Sequence, residues 1–129
     1  MFFFTKEHIR SSISYLYEMD EEFEKLWRVL MAQLEKDFDG DLDIQGILFL
    51  IGVQELGKGK QSFSKDQKVE LLHVAICTIL APFGYYKLLH SDQDGWPHFE
   101  TLKPLPHLKS GEQLKLMKQG ILDYFGEIY

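Results

Sequence analysis

Amphipathic stretches of helical period flank two stretches that are apolar almost all round. The more apolar of the two runs from Leu42 to Leu56, LDIQGILFLIGVQEL, in which every residue from Ile47 to Val53 except Gly52 is a large hydrophobic one. A helix with no polar side belongs inside a packed structure. With Asp43, Gln45, Gln54 and Glu55 at its ends, it falls short of the roughly 20 apolar residues that cross a bilayer. The expectation is the central helix of a bundle, capped by Asp41 or Asp43 and closed at Gly57.

Two amphipathic segments precede it. Thr5 can cap a first helix from Lys6 to Tyr17 with Ile9, Ile13, Leu16 and Tyr17 on one face, and Phe2 to Phe4 are expected to fold back onto the bundle. The second segment repeats Phe23, Leu26, Trp27, Leu30, Met31, Leu34 and Phe38 at helical spacing. Asp20, Glu21 and Glu22 would sit in its first turn, where the helix dipole favours negative charge. Glu21 with Lys25 and Glu24 with Arg28 are i, i+4 pairs, and Gly40 reads as the C-terminal stop.

After a glycine- and lysine-containing loop, Ser64-Lys-Asp-Gln67 has capping-box spacing. The helix it opens has one apolar face of Val69, Leu72, Ile76, Leu80 and Phe83, widened by Leu71, Val74, Ala75 and Ile79. Pro82 breaks or kinks it, because the ring removes a donor and clashes with the preceding turn. Pro82 to Leu89 then reads as a separate short helix with proline near its start. His90 to Lys109 differs in kind: Pro97, Pro104 and Pro106, three histidines and Trp96 fall in it. Trp96, Phe99, Leu102, Leu105 and Leu108 predict an ordered strap across the bundle rather than a disordered loop. Ser110-Gly-Glu-Gln113 offers a second capping box for a last helix with Leu114, Met117, Ile121 and Phe125 on its apolar face. The fold class expected is all-α, a compact single-domain bundle of about five helices spanning residues 1–129.

Composition narrows the function classes. A chain of 129 residues with ten Phe, six Tyr and two Trp can bury a core without disulfides. Fourteen Lys and Arg against twenty Asp and Glu give a formal charge of −6. That balance disfavours nucleic acid and anionic membranes as partners, since both draw on clustered positive charge. The single cysteine, Cys77, lies in the apolar run HVAICTIL and is expected to be a buried free thiol. The start MFFFTKEHIR lacks the basic region of a signal peptide, which makes the cytoplasm the expected location.

Three constellations bear on chemistry. Glu70-Leu-Leu-His73 places a carboxylate and an imidazole on one helix face, the unit by which helical bundles hold metals, and His98 in the strap is the candidate third ligand. Only one such unit exists, and the plainer reading is a core-edge histidine beside a solvated glutamate. The acidic turn from Glu35 to Asp43 alternates oxygen ligands as a calcium loop does, but Gly46 occupies the place of the closing glutamate. His90-Ser-Asp92-Gln-Asp94-Gly95-Trp-Pro-His98 is also calcium-like and also lacks that glutamate, Thr101 standing there; an Asp-Gly turn followed by a Trp-Pro anchor is the simpler account.

Nothing resembles a nucleophile elbow or a phosphate-binding glycine loop. Gly46 and Gly52 are expected to allow close helix packing. The sequence therefore favours a small non-enzymatic helical protein that works through a protein partner or self-association, as in a homodimer, with no cofactor. Trp96, Phe99, Tyr85 and Tyr86 are its candidate interaction surface. The competing expectation is a bundle that binds a small molecule or metal in a pocket under the 90–109 strap, which requires His98 or His107 to approach His73.

Overall fold

A computed structural model of the chain describes residues 6–38, 42–58, 61–105 and 107–126, with side chains described from residue 21 onward except that of Phe38. The readings made for Phe2 to Phe4, for Thr5, for the apolar face before residue 21 and for residues 39–41 lie outside the described residues or side chains. The chain divides into two compact units, Met1–Asp39 and Gly40–Tyr129.

The first unit is built on α1, Lys6–Phe38, a single helix of 33 residues. The two helices expected before residue 39 are thus one. The acidic run Glu18-Met-Asp-Glu-Glu22 contains neither glycine nor proline, so a charge pattern that suits a helix start here lies inside a continuous helix. Among its described side chains Phe23, Trp27, Leu30 and Leu34 are buried, while Leu26 and Val29 are exposed. Gln33 donates weakly to the Asp37 carboxylate one turn on, at 3.4 Å.

Among its described residues the second unit contains three helices, a 3-10 turn and a two-stranded sheet. Helix α2 is Ile44–Leu56. Asp43 is its N-cap and accepts from the Gly46 N–H at 2.7 Å, and Gly57, in the left-handed region at φ +72°, closes it. Helix α3, Lys65–Leu80, begins with the complete capping box: Gln67 N–H donates to Ser64 Oγ at 3.2 Å, and Ser64 N–H to Gln67 Oε1 at 2.9 Å. It ends two residues before Pro82, which sits in the 3-10 turn Ala81–Phe83.

From there the chain departs from the all-α expectation. Gly84, at φ +86°, turns it into strand β1, Tyr86–Ser91, which pairs antiparallel with β2, Pro97–Thr101. The short helix expected over Pro82 to Leu89 is therefore a 3-10 turn and a strand, and the first part of the strap is a β-hairpin. Helix α4, Ser110–Gly126, completes the unit. Among the described residues the architecture is four α-helices with a small sheet, not a bundle of five helices. Ser110 is the first helical residue of α4, and the Lys109 carbonyl accepts from Glu112 and Gln113, so the second capping box does not form as expected.

The centre of this unit is α3 rather than α2. Helix α3 packs against α2, α4, the 3-10 turn and both strands. Its buried residues Leu71, Val74, Ala75, Cys77, Ile79 and Leu80 surround its C-terminal half, whereas Val69, expected on the buried face, is 62% exposed. Close approach of two backbones explains the geometry. A Cβ on Gly52 of α2 would lie 2.3 Å from the Leu71 carbonyl oxygen, and one on Gly120 of α4 would lie 2.8 Å from that of Ile79. Only glycine lets the helices meet this closely. Gly46, by contrast, meets no other helix among the described residues and serves the Asp43 cap. Among the described residues no helix is long and apolar enough to cross a membrane.

Candidate functional site

The hairpin is built around one carboxylate. Asp92 Oδ1 accepts from the backbone N–H of Asp94 at 2.9 Å and of Trp96 at 3.0 Å, while its Oδ2 lies 3.0 Å from His98 Nε2. The Gly95 N–H donates to the Asp92 carbonyl, and Gly95 at φ +87° turns the chain into β2. Aspartate at the first place of a tight turn and glycine at the fourth is the favoured chemistry for this geometry. The His98 hydrogen bond, then the two backbone donors, holds the Asp92 carboxyl below its ordinary range. The calcium-like letters of this segment therefore spell a turn whose leading aspartate is occupied by its own backbone.

Pairing runs Tyr86 with Thr101, Lys87 with Glu100, Leu88 with Phe99, then His90 with His98, so Leu89 is an inserted residue. Opposite residues of an antiparallel pair share a face. The insertion thus places Leu88 and Phe99 on one face and His90 and His98 on the other, where strict alternation along β1 would have kept Leu88 with His90. The two imidazoles stack at 5.0 Å with their planes 9° apart.

The hairpin docks on α3 through His73. Its ring meets Tyr86 edge-on at 6.5 Å between centroids, and its Nε2 lies 3.5 Å from Cys77 Sγ. Burial pushes the Cys77 thiol up to about 11. A thiol so placed is a buried hydrophobe and not an activated nucleophile.

Between α3 and the hairpin lies a solvent-open cleft of about 500 Å³. Glu70, His73 and Val74 form its helical wall. Asp92, Asp94 and Trp96 of the turn, with Pro97, His98 and Phe99 of β2, form the other. All three residues singled out as metal ligands, Glu70, His73 and His98, therefore line one cleft, and His107 does not. They share it without forming a ligand set: among the described residues no three His, Cys, Asp or Glu side chains converge closely enough to hold a metal ion. The Nε2 atoms of both imidazoles face other partners, Cys77 and Asp92.

The four aromatic residues of the candidate surface divide in two. Trp96 and Phe99 are half-buried in the cleft wall. Tyr86 is engaged with His73, and the Lys103 ammonium lies 4.7 Å above the Tyr85 ring. The sequence sets Leu102 and Leu105 against the bundle and does not single out Leu88 or Leu89, yet all four are surface. Leu88, Leu89, Leu102 and Leu105, on the hairpin and the segment after it, are each about half exposed (54, 53, 52 and 46%). Two adjacent leucines in YKLLHS were the available signal, since period-two alternation would have buried one of them. In comparisons with known proteins the chain matches no family model, no curated protein and no solved structure.

Proposed function

We propose that the protein is a non-enzymatic binding module that docks a protein partner on the face formed by the hairpin and α3. One observation carries this reading: Leu88, Leu89, Leu102 and Leu105 are about half exposed on and after a hairpin whose β1 is exposed at every position after Tyr86. A two-stranded hairpin is marginal in water by itself. Large apolar side chains left this exposed mark an interaction site where they gather on one surface. The cleft, whose wall includes Phe99, the cross-strand partner of Leu88, supplies polar groups for specificity.

A photo-crosslinking side chain placed at position 88 or 102 tests this in cells making the protein, with exposed Glu112 on α4 as the control position. The reading expects a discrete protein adduct, or a dimer of the chain, from positions 88 and 102 and not from 112. Equal labelling at all three positions, or none at 88 and 102, contradicts it. A second reading, a small-molecule binding protein, draws on the cleft itself, whose volume lies in the range of ligand pockets.

A further inference from the structure

We infer that the cleft receives a basic side chain, the ammonium or guanidinium of a lysine or arginine in a partner polypeptide. The inference rests on the docking reading above and names the chemistry of the group that enters its polar centre.

Charge comes first. Among the described residues three carboxylates line the cleft, those of Glu70, Asp92 and Asp94, and neither a lysine nor an arginine does. Asp92 is committed to its own turn and to His98. The Glu70 and Asp94 carboxylates remain, one on each wall, and neither has a hydrogen-bond or ion-pair partner among the described residues. A cation entering the cleft meets carboxylates on both walls; the Lys58 side chain lies against Gly95 beside the turn, and among the described residues it forms no ion pair with Glu70 or Asp94. The chain as a whole carries a net −6, which steers a basic partner toward it.

Shape and apolar lining come second. Trp96 and Phe99 give the cleft aromatic surface, and Val74 and Pro97 add aliphatic surface. A long methylene stem ending in a charged head matches such a lining, because the stem packs on apolar groups while the head stays near water and carboxylate. Aromatic surface beside carboxylates is the combination that binds organic cations. A bare metal ion fits less well, since the donor groups do not converge. The mouth is open, and Leu88 shares a sheet face with Phe99 of the cleft wall. An occupant therefore extends past the cleft onto apolar surface, as a side chain on a polypeptide does and a small free amine does not.

The test is a two-dimensional amide NMR titration of the isotopically labelled full chain. The probe is an acetylated, amidated Ala-Arg-Leu-Lys-Ala peptide. The control is the same peptide with citrulline for arginine and acetyl-lysine for lysine, which keeps the length and removes the charge. The expected result is saturable shifts confined to residues 70–74 and 92–99, weakened by added salt and absent with the neutral peptide. In the double variant E70Q/D94N, both sites being exposed, affinity falls about five- to tenfold while the spectrum otherwise keeps its dispersion. The charge-reversed E70K/D94K variant loses the basic peptide and gains an Ala-Glu-Leu-Glu-Ala one. No saturable shift at millimolar peptide, equal shifts with the neutral peptide, or affinity unchanged in E70Q/D94N overturns the inference. If crosslinking at position 88 still captures a partner in that case, the docking reading stands and only the occupant of the cleft is wrong.

Discussion

Replacing Gly52 by alanine puts the packing of the second unit to a test in which two effects have opposite signs. In an open helix the substitution stabilises by about 1 kcal/mol, because alanine loses less backbone freedom than glycine. At Gly52 the new methyl would lie 2.3 Å from the Leu71 carbonyl oxygen and 2.9 Å from its carbonyl carbon. An ordinary carbon–oxygen contact is roughly 3.3 Å or longer, so α2 must retreat from α3 by about 1 Å. The obstacle is backbone inside a helix, which has no rotamer to escape into. A gap of that size forfeits about a quarter to a half of the dispersion energy of each contact it opens. Ile47, Leu48, Ile51 and Leu71 are all buried in the α2 and α3 part of the core. Overpacking of this kind costs about 1–3 kcal/mol, and a rigid backbone obstacle belongs at the upper end. The net expectation is a loss of about 2 kcal/mol after the propensity gain is subtracted, a drop in melting temperature of roughly 10 °C for a unit this size. Urea unfolding followed by circular dichroism measures it. Gly120→Ala, whose methyl would meet the Ile79 oxygen at 2.8 Å, should cost less than Gly52→Ala. Gly111→Ala, in the first turn of α4 with nothing within 4 Å, should be neutral or stabilise by up to about 1 kcal/mol. A G52A protein as stable as the parent, or the reverse order of the three, refutes the account of α3 as the hub.

Other predictions concern single groups. Cys77, with its thiol pushed up to about 11, should resist disulfide reagents at neutral pH until the protein is unfolded in urea; rapid labelling of the folded protein would contradict its burial. Tyr124 donates to Glu55 Oε1 at 2.6 Å, and burial, then that carboxylate, raises its phenol well above the ordinary value. Tyr124→Phe should cost about 1 kcal/mol in urea unfolding, and it should remove a phenol that ionises above the ordinary range in the parent by ultraviolet absorbance. Asp92 has a lowered pKa in the folded chain, so its stabilising contribution is present above the unfolded value of about 3.9 and is lost as pH falls through the folded value. The amide resonances of Asp94 and Trp96 should therefore shift together below about pH 4, and Asp92→Asn should remove that transition.

What the sequence discloses here is mostly local chemistry. Asp43, Gly57 and the Ser64–Gln67 capping box bound their helices as read, because a cap is a contact between residues at most a few positions apart. The Asp92–Gly95 turn was legible for the same reason. The continuity of α1 was not, since an acidic run suits both a helix start and a helix interior. The strand from Tyr86 was hidden by the Leu89 insertion, which destroys the period-two alternation that announces a strand. Hydropathy singled out α2 as central, yet α3 is the hub: the close approaches at Gly52 and Gly120 depend on which helices face each other, and no local pattern encodes that. Of the cleft, Glu70 and His73 were visible by their spacing. Their meeting with Trp96 and His98 depends on the Tyr86–His73 contact between a helix and a hairpin, which composition does not show.

Native mass spectrometry of protein purified without added metal or chelator bears most directly on the claim that this chain is a docking module. The account predicts the polypeptide mass alone, whole-number multiples of it, or the polypeptide with a protein partner. Stoichiometric added mass from a small molecule or metal, lost on substituting Glu70 and Asp94, would contradict it and make the cleft a ligand site.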